Sequence, residues 1–184
     1  MHRILLSFLF LFITVTAAVN AQEIKWMSMN EALKAQKKEP KKIFMDAYTD
    51  WCGPCKLLDR NTFSNKDVAQ YINKNYYPVK FNAEGTEEIQ YRDMTFGNPN
   101  HDPNRRGRNS QHQFASAMKI KAYPSLVFFD EKGNLLGPIP GYRTPHQLEV
   151  FLKLFVGEEY KKINTAEAFQ KYSEDFENTF EVSQ

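Results

Sequence analysis

Only two cysteines stand among the 184 residues, so a scaffold stapled by several disulfides is excluded. Charge of one sign is equally scarce. Lys and Arg number 24 against 22 Asp and Glu, a formal +2. So small an excess leaves no electrostatic footprint for nucleic acid or for an anionic membrane surface. No apolar run reaches the roughly 20 residues that a membrane-spanning helix needs. Internal repeats and low-complexity tracts are lacking too, which sets aside repeat architectures. What is abundant is core material: 42% hydrophobic residues, with 15 Phe and 9 Tyr. The length and this content suit one globular domain with appended elements.

The first 21 residues read as a leader rather than as fold. Arg3 supplies a positive start. Ile4 to Val19 is apolar apart from Ser7, Thr14 and Thr16, and Val19-Asn20-Ala21 offers a peptidase site before Gln22. This is the layout of a secretory signal peptide. The alternative is an uncleaved membrane anchor, in which case the leader would be the only membrane contact. No cysteine follows the cleavage site, which excludes a bacterial lipid anchor there. The expected compartment is periplasmic or secreted, where disulfides persist.

Along the remaining chain, strand-like and helix-like stretches alternate. Ile24-Lys25-Trp26 reads as a short edge strand, and Ser28 or Asn30 caps a helix over 31–38 that ends at Pro40. Strands are predicted over 43–48, 76–82, 125–129 and 135–139. Leu57, Leu58, Val68, Tyr71 and Ile72 have helical spacing, broken near Ser64-Asn65. Thr144 caps a helix bearing Leu148, Phe151, Leu152 and Phe155. The turn Glu131-Lys132-Gly133-Asn134 makes the last two strands antiparallel, so the sheet is mixed and the class is α/β. Between 83 and 113 the pattern is lost.

Both cysteines fall in one C-x-x-C unit, Cys52-Gly53-Pro54-Cys55, between a strand and a helix. Unpaired amides and the dipole at a helix N-terminus favour negative charge. A thiol placed there is acidic and reactive. Pro54 suits an early helix position because it has no amide hydrogen to lose. Cys52 is therefore expected to face solvent as the nucleophile, with Cys55 more buried as the resolving thiol. Three other readings compete. A structural disulfide would close too small a ring to constrain much chain. A zinc site would need a second ligand pair, and His101 and His112 have unsuitable spacing. An inactive copy is at odds with an intact Trp51-Cys52-Gly53-Pro54-Cys55-Lys56 string.

That six-residue string resembles the active site of the thioredoxin family, and the resemblance extends from about Ile24 to Phe155. It implies a thioredoxin fold, a central mixed sheet flanked by helices, over 22–156. It implies that Asp46 is a buried acid serving Cys55 and that Lys80 is its partner. It also implies a cis peptide at Tyr123-Pro124, facing the disulfide. Trp51, Gly53, Pro54, Tyr123 and Pro124 would then contact substrate, with the Tyr123 backbone pairing to an extended segment. The stretches 46–52 and 62–64 are similar to secreted thioredoxin-like proteins and to the C-terminal periplasmic domain of the reductant transporter DsbD. The resemblance implies protein disulfides as substrates and a membrane electron donor of DsbD type. It implies no cofactor or metal beyond the Cys52–Cys55 disulfide.

Two stretches depart from the family pattern. The insertion over about 83–113 precedes the Pro124 loop and carries Arg92, Arg105, Arg106 and Arg108 against Glu84, Glu87, Glu88, Asp93 and Asp102. Its two readings are a partner-recognition loop beside the active site and a mobile, solvated segment, the latter slightly favoured. The extension over 157–184 is expected to fold back through Tyr160, Ile163, Phe169, Tyr172 and Phe176. The expected function is a thiol–disulfide oxidoreductase acting as a reductase. The alternatives are an oxidase or isomerase, and an envelope binding module with a vestigial disulfide.

Overall fold

The computed structural model describes residues 23–182; the leader read over 1–21 lies outside the described residues. Helix α1 (Met29–Gln36) starts at Ser28, whose hydroxyl accepts the Glu31 amide while the Glu31 carboxylate accepts the Ser28 amide. This reciprocal box satisfies two orphan donors and fixes the start. Asn30 is not the cap. Its amide bridges instead to the backbone of Glu88 and Gln90. The edge strand expected at 24–26 does not form. The Trp26 amide turns back on the Ile24 carbonyl, and a single bridge joins Met27 to Val79.

The central sheet has the order β2 (Tyr76–Asn82), β1 (Lys42–Tyr48), β5 (Ser125–Phe129) and β6 (Leu135–Pro140). The β1–β2 pair is parallel and the other two are antiparallel, so the sheet is mixed as the turn at Gly133 implied. Side chains alternate faces along a strand. Ile43, Met45 and Ala47 join Val79, Phe81, Val127 and Phe129 in a core under α1 and α4 (Gln113–Ala117). Phe44 joins Tyr76, Leu126 and Phe128 in a second core, under α3 (Lys66–Asn75) and α5 (Pro145–Val156). Helix α2 (Gly53–Leu58) lies on this second face through Leu58, and runs on into a π-helical turn, Asp59–Phe63.

The 83–113 stretch is not an open solvated loop. It forms a hairpin of β3 (Ile89–Tyr91) and β4 (Met94–Phe96), turning at Arg92 with φ 56°. Ile89 is fully buried, and the Tyr91 ring packs edge-on against Phe114 and Phe129 while its hydroxyl donates to the Gly133 carbonyl.

The C-terminal stretch folds back on α5. Helix α6 (Ala166–Glu174) stacks Phe169 on Phe151, and Tyr160 packs on Phe155. Phe180 enters the second core beside Tyr71. Its anchor is Glu149, a fully buried carboxylate on α5. Glu149 accepts the Thr179 amide at 2.8 Å, the Thr179 hydroxyl at 2.7 Å and the Phe180 amide at 3.1 Å, and pairs with Lys153 at 2.6 Å. These donors hold its carboxyl below the usual carboxylate range against the opposing cost of burial. The folded form therefore binds this proton more weakly than the unfolded chain. The stabilisation is complete above the unfolded value and is lost as pH falls through the folded one. Replacing Glu149 with Ala is expected to cost about 2–3 kcal/mol in denaturant unfolding at pH 7, because several donors lose a charged acceptor together. The cost should shrink in acid, and hydrogen exchange should locate the loosening at 178–182. An acid-insensitive loss would refute the latch.

Candidate active site

Cys52 is the N-cap of α2, with φ −74° and ψ 103°. Its sulfur accepts the Cys55 amide at 3.1 Å, so an orphan helix donor points at the sulfur that would carry thiolate charge. The two cysteines form a disulfide with Cα atoms 5.3 Å apart. The expectation that Cys52 faces solvent is not met: both cysteines are 2% exposed. The bond to Cys55 and the capping geometry turn the Cys52 sulfur back over the first turn. Gly53 and Pro54 are exposed, and so is Trp51 at 36%. Tyr123-Pro124 is a cis peptide, and the Trp51 and Tyr123 rings meet edge-to-face at 6.1 Å. The two aromatic neighbours of the sulfur and of the proline thus form one platform.

Asp46 is fully buried in the middle of β1, paired with Lys80 on one side and Leu126 on the other. It is two residues from Phe44 and so points to the same face, the one that carries α2. The Lys80 ammonium approaches its Oδ2 at 2.7 Å, but no donor among the described residues makes a well-directed hydrogen bond to the carboxylate. Burial pushes the Asp46 carboxyl up to about 6, with the Lys80 charge opposing. Lys80 is shared. It also pairs with Asp59 in the π-helical turn, and it lies 5.1–5.3 Å from the ring centres of Trp26, Tyr48 and Phe63. These charges hold the Lys80 ammonium above its ordinary value against desolvation.

Three side chains at the site are not singled out by the sequence as site residues, although Glu84 and Arg108 lie in the segment one reading of which is a partner-recognition loop beside the active site. Asp59 lies four residues after Cys55 on the same helical stretch, a spacing that places both on one face. Glu84 and Arg108 come from the 83–113 segment. The Glu84 carboxylate accepts the Trp51 indole N–H and the Asn109 amide, both at 2.9 Å. The Arg108 guanidinium lies over the Trp51 ring at 4.5 Å. No local signal could have placed them there, because Arg108 stands 57 positions from Trp51 in sequence. The two histidines weighed as ligands are occupied otherwise. His101 bonds the Glu84 carbonyl, and His112 caps α4 through Nδ1 while its Nε2 meets the Glu87 carbonyl.

Comparison with known proteins agrees with this geometry. A family model for a thioredoxin-like domain matches residues 29–155. The thiol:disulfide interchange protein DsbD of Pectobacterium atrosepticum is 23% identical over 145 residues, 77% of this chain and 21% of that protein. The chain therefore spans about a fifth of that relative's length. Among solved structures, a thioredoxin-fold protein from Helicobacter pylori superposes with a TM-score of 0.57 at 17% identity, over 73% of this chain and 81% of that one. A DsbH oxidoreductase superposes with a TM-score of 0.55 at 16% identity, over 79% and 92%. Together with the mixed four-stranded sheet, the paired cysteines at the start of α2 and the cis-Pro124 loop, these matches place the chain in the thioredoxin-like domain family.

Proposed function

We propose that this protein is a thiol–disulfide oxidoreductase that reduces protein disulfides in the periplasm or outside the cell. The observation that carries the reading is the Cys52–Cys55 pair at the N-terminus of α2 on the same sheet face as the buried Asp46. The sequence relation to DsbD, a thiol:disulfide interchange protein, supports the reaction class. The leader read over 1–21 supports the compartment.

In the reduced protein, the Cys52 thiolate attacks one sulfur of a substrate disulfide, forming a mixed disulfide and expelling the other substrate sulfur as a thiolate. Cys55 then attacks the Cys52 sulfur. Its thiol proton passes to the Asp46 carboxylate, and the second substrate sulfur leaves as a thiolate. Two electrons have moved to the substrate, and the protein holds the Cys52–Cys55 disulfide. The amide of Cys55 stabilises the Cys52 thiolate whenever it forms or leaves. The exposed Trp51, Gly53 and Pro54 and the half-buried Tyr123 hold the substrate chain. The Pro124 side chain, expected from the sequence to contact substrate, is itself buried and acts by shaping the Tyr123 backbone. The reaction needs no metal or organic cofactor from this chain. A membrane dithiol donor of DsbD type would return the two electrons.

Reduction of an insulin-type disulfide should vanish in Cys52→Ser. Cys55→Ala should accumulate the mixed disulfide, visible as a mass adduct. Turnover retained without Cys52 would eliminate the mechanism. The potential of the couple should lie near the roughly −270 mV of a reductase rather than the roughly −120 mV of a strong oxidant. A value at the oxidising end would move the assignment to an oxidase.

Asp46 titrates with a definite sign. The folded state holds its proton more tightly than the unfolded chain, whose value is 3.8, so stability falls as pH rises from about 4 to about 6. Above that window the full cost of a buried charge is present. Asp46→Asn should therefore stabilise the oxidised protein at pH 7, by about 1–3 kcal/mol, and slow release of the mixed disulfide. Equal stability at pH 7 and loss of none of the release rate would remove Asp46 from the mechanism.

A further inference from the structure

Resting on the assignment of a disulfide reductase, we propose that the 83–113 segment builds a cationic wall on the substrate platform and selects disulfides flanked by acidic residues. Three observations carry this. The first is position. Arg108 stacks on Trp51, and Trp51 meets Tyr123, so the guanidinium borders the aromatic pair beside the disulfide and the cis proline. Gln111 donates to the Tyr123 hydroxyl and to the Ile120 carbonyl, which ties the same segment to the Pro124 loop.

The second observation is rigidity. Asn98 donates to the carbonyls of Glu84 and Ser110, and the Asn109 side chain clasps Asp102 from both directions. The loop tip that carries the arginines is thus held by its own polar network and by the hairpin behind it, which the buried Ile89 anchors. Gly107, at φ 85°, turns the backbone between Arg106 and Arg108. An ordered wall adds little entropy cost when a partner docks.

The third is the arrangement of charge. The acidic groups of the segment nearest the platform are engaged locally: the half-buried Glu84 accepts from Trp51 and Asn109, and the exposed Asp102 caps the Asn104 amide. Arg105, Arg106 and Arg108 are exposed. Among the described residues none of their guanidinium groups makes an ion pair. The tip beside Trp51 therefore offers three exposed guanidinium groups outside any ion pair, against the exposed carboxylates of Asp50 and Asp102, in a chain that is nearly neutral as a whole. Charges on a rim steer encounter and choose partners more than they add raw affinity. The occupant that fits is an extended polypeptide with Asp or Glu beside its cysteine, its carboxylates meeting the arginine fork in bidentate fashion.

The test uses two disulfide-linked peptides, identical except for four Glu or four Lys flanking the cysteine, with uncharged hydroxyethyl disulfide as the reference. For the reduced wild-type protein, kcat/KM should favour the Glu peptide by about fivefold to tenfold at low salt, the scale of a few exposed ion pairs. Near roughly 0.5 M salt, where screening acts within a few ångströms, the preference should collapse. Arg108→Glu should invert the ratio, and the Arg105→Glu/Arg106→Glu double variant should lower it. Arg108→Gln, which keeps size and packing, should abolish most of it if the charge-reversed protein fails to fold. Equal rates for the two wild-type peptides, or a salt-insensitive ratio, would overturn the cationic wall while leaving the reductase intact. Failure of the wild-type protein to reduce hydroxyethyl disulfide would instead overturn the reductase assignment itself.

Discussion

A fully buried carboxylate lies at the centre of this protein, and much of the site is arranged around it. Strand β1 is covered on both faces, so six of its seven residues are buried, and a strand so placed is ordinarily apolar. Asp46 breaks that rule. A carboxyl there is tolerated because the register of the parallel pair brings Lys80 directly beside it. Lys80 in turn needs the Asp59 carboxylate and three aromatic faces to hold its own ammonium in a partly dry place. The chain of dependence runs from strand register to ion pair to helix position, because Asp59 belongs to the stretch that begins at the redox-active cysteines. A shift of β2 by one residue would turn Lys80 to the other face and leave Asp46 alone.

The extra chain has been used on two sides of this frame in different ways. The 83–113 segment adds a hairpin to the α1–α4 face and lends Ile89, Tyr91 and Phe96 to that core, so its exposed tip is anchored from behind. The C-terminal stretch adds a layer to α5 on the other face and closes it with the Glu149 carboxylate. Both additions join their apolar side to an existing core and keep their polar side for backbone partners. A small domain gains buried area in this way without enlarging its sheet.

Much of this was legible in the sequence because the signals were local. Residues 76–82 and 125–129 alternate or run apolar over full strand length, and the strands occupy those positions. Cys52, Pro54 and Cys55 declare a strand-to-helix junction through their own chemistry, and Thr144 declares a capped helix. What escaped notice depends on contacts distant in sequence. Ile89-Gln90-Tyr91 does alternate, but three residues are too few to separate from a loop, and their strand character comes from the core they meet. Phe180 lay in a polar stretch, and its burial depends on Glu149, 31 positions away. The exposure of Cys52 was misjudged for a related reason. Helix position predicts the electrostatics of a cap, whereas accessibility depends on where the sulfur turns once it is bonded to Cys55.

Two opposing fields act on the cysteine pair, and their balance sets which way electrons run. The free amide of Cys55 stabilises a Cys52 thiolate and so favours the dithiol form, the tendency that makes an oxidant. A buried negative charge on the same sheet face disfavours that thiolate and favours the disulfide, the tendency that makes a reductant. Helix α2 is only six residues long before its geometry loosens into the π-helical turn, so the amide field comes from a short stretch of aligned peptides. The Asp46 carboxylate, by contrast, is fully buried, and Lys80 is divided between it and Asp59. Sharing Lys80 with Asp59 leaves the field of Asp46 incompletely cancelled at the moment the thiolate must form. The reductase direction proposed above requires that the field of the acid outweigh that of the amides.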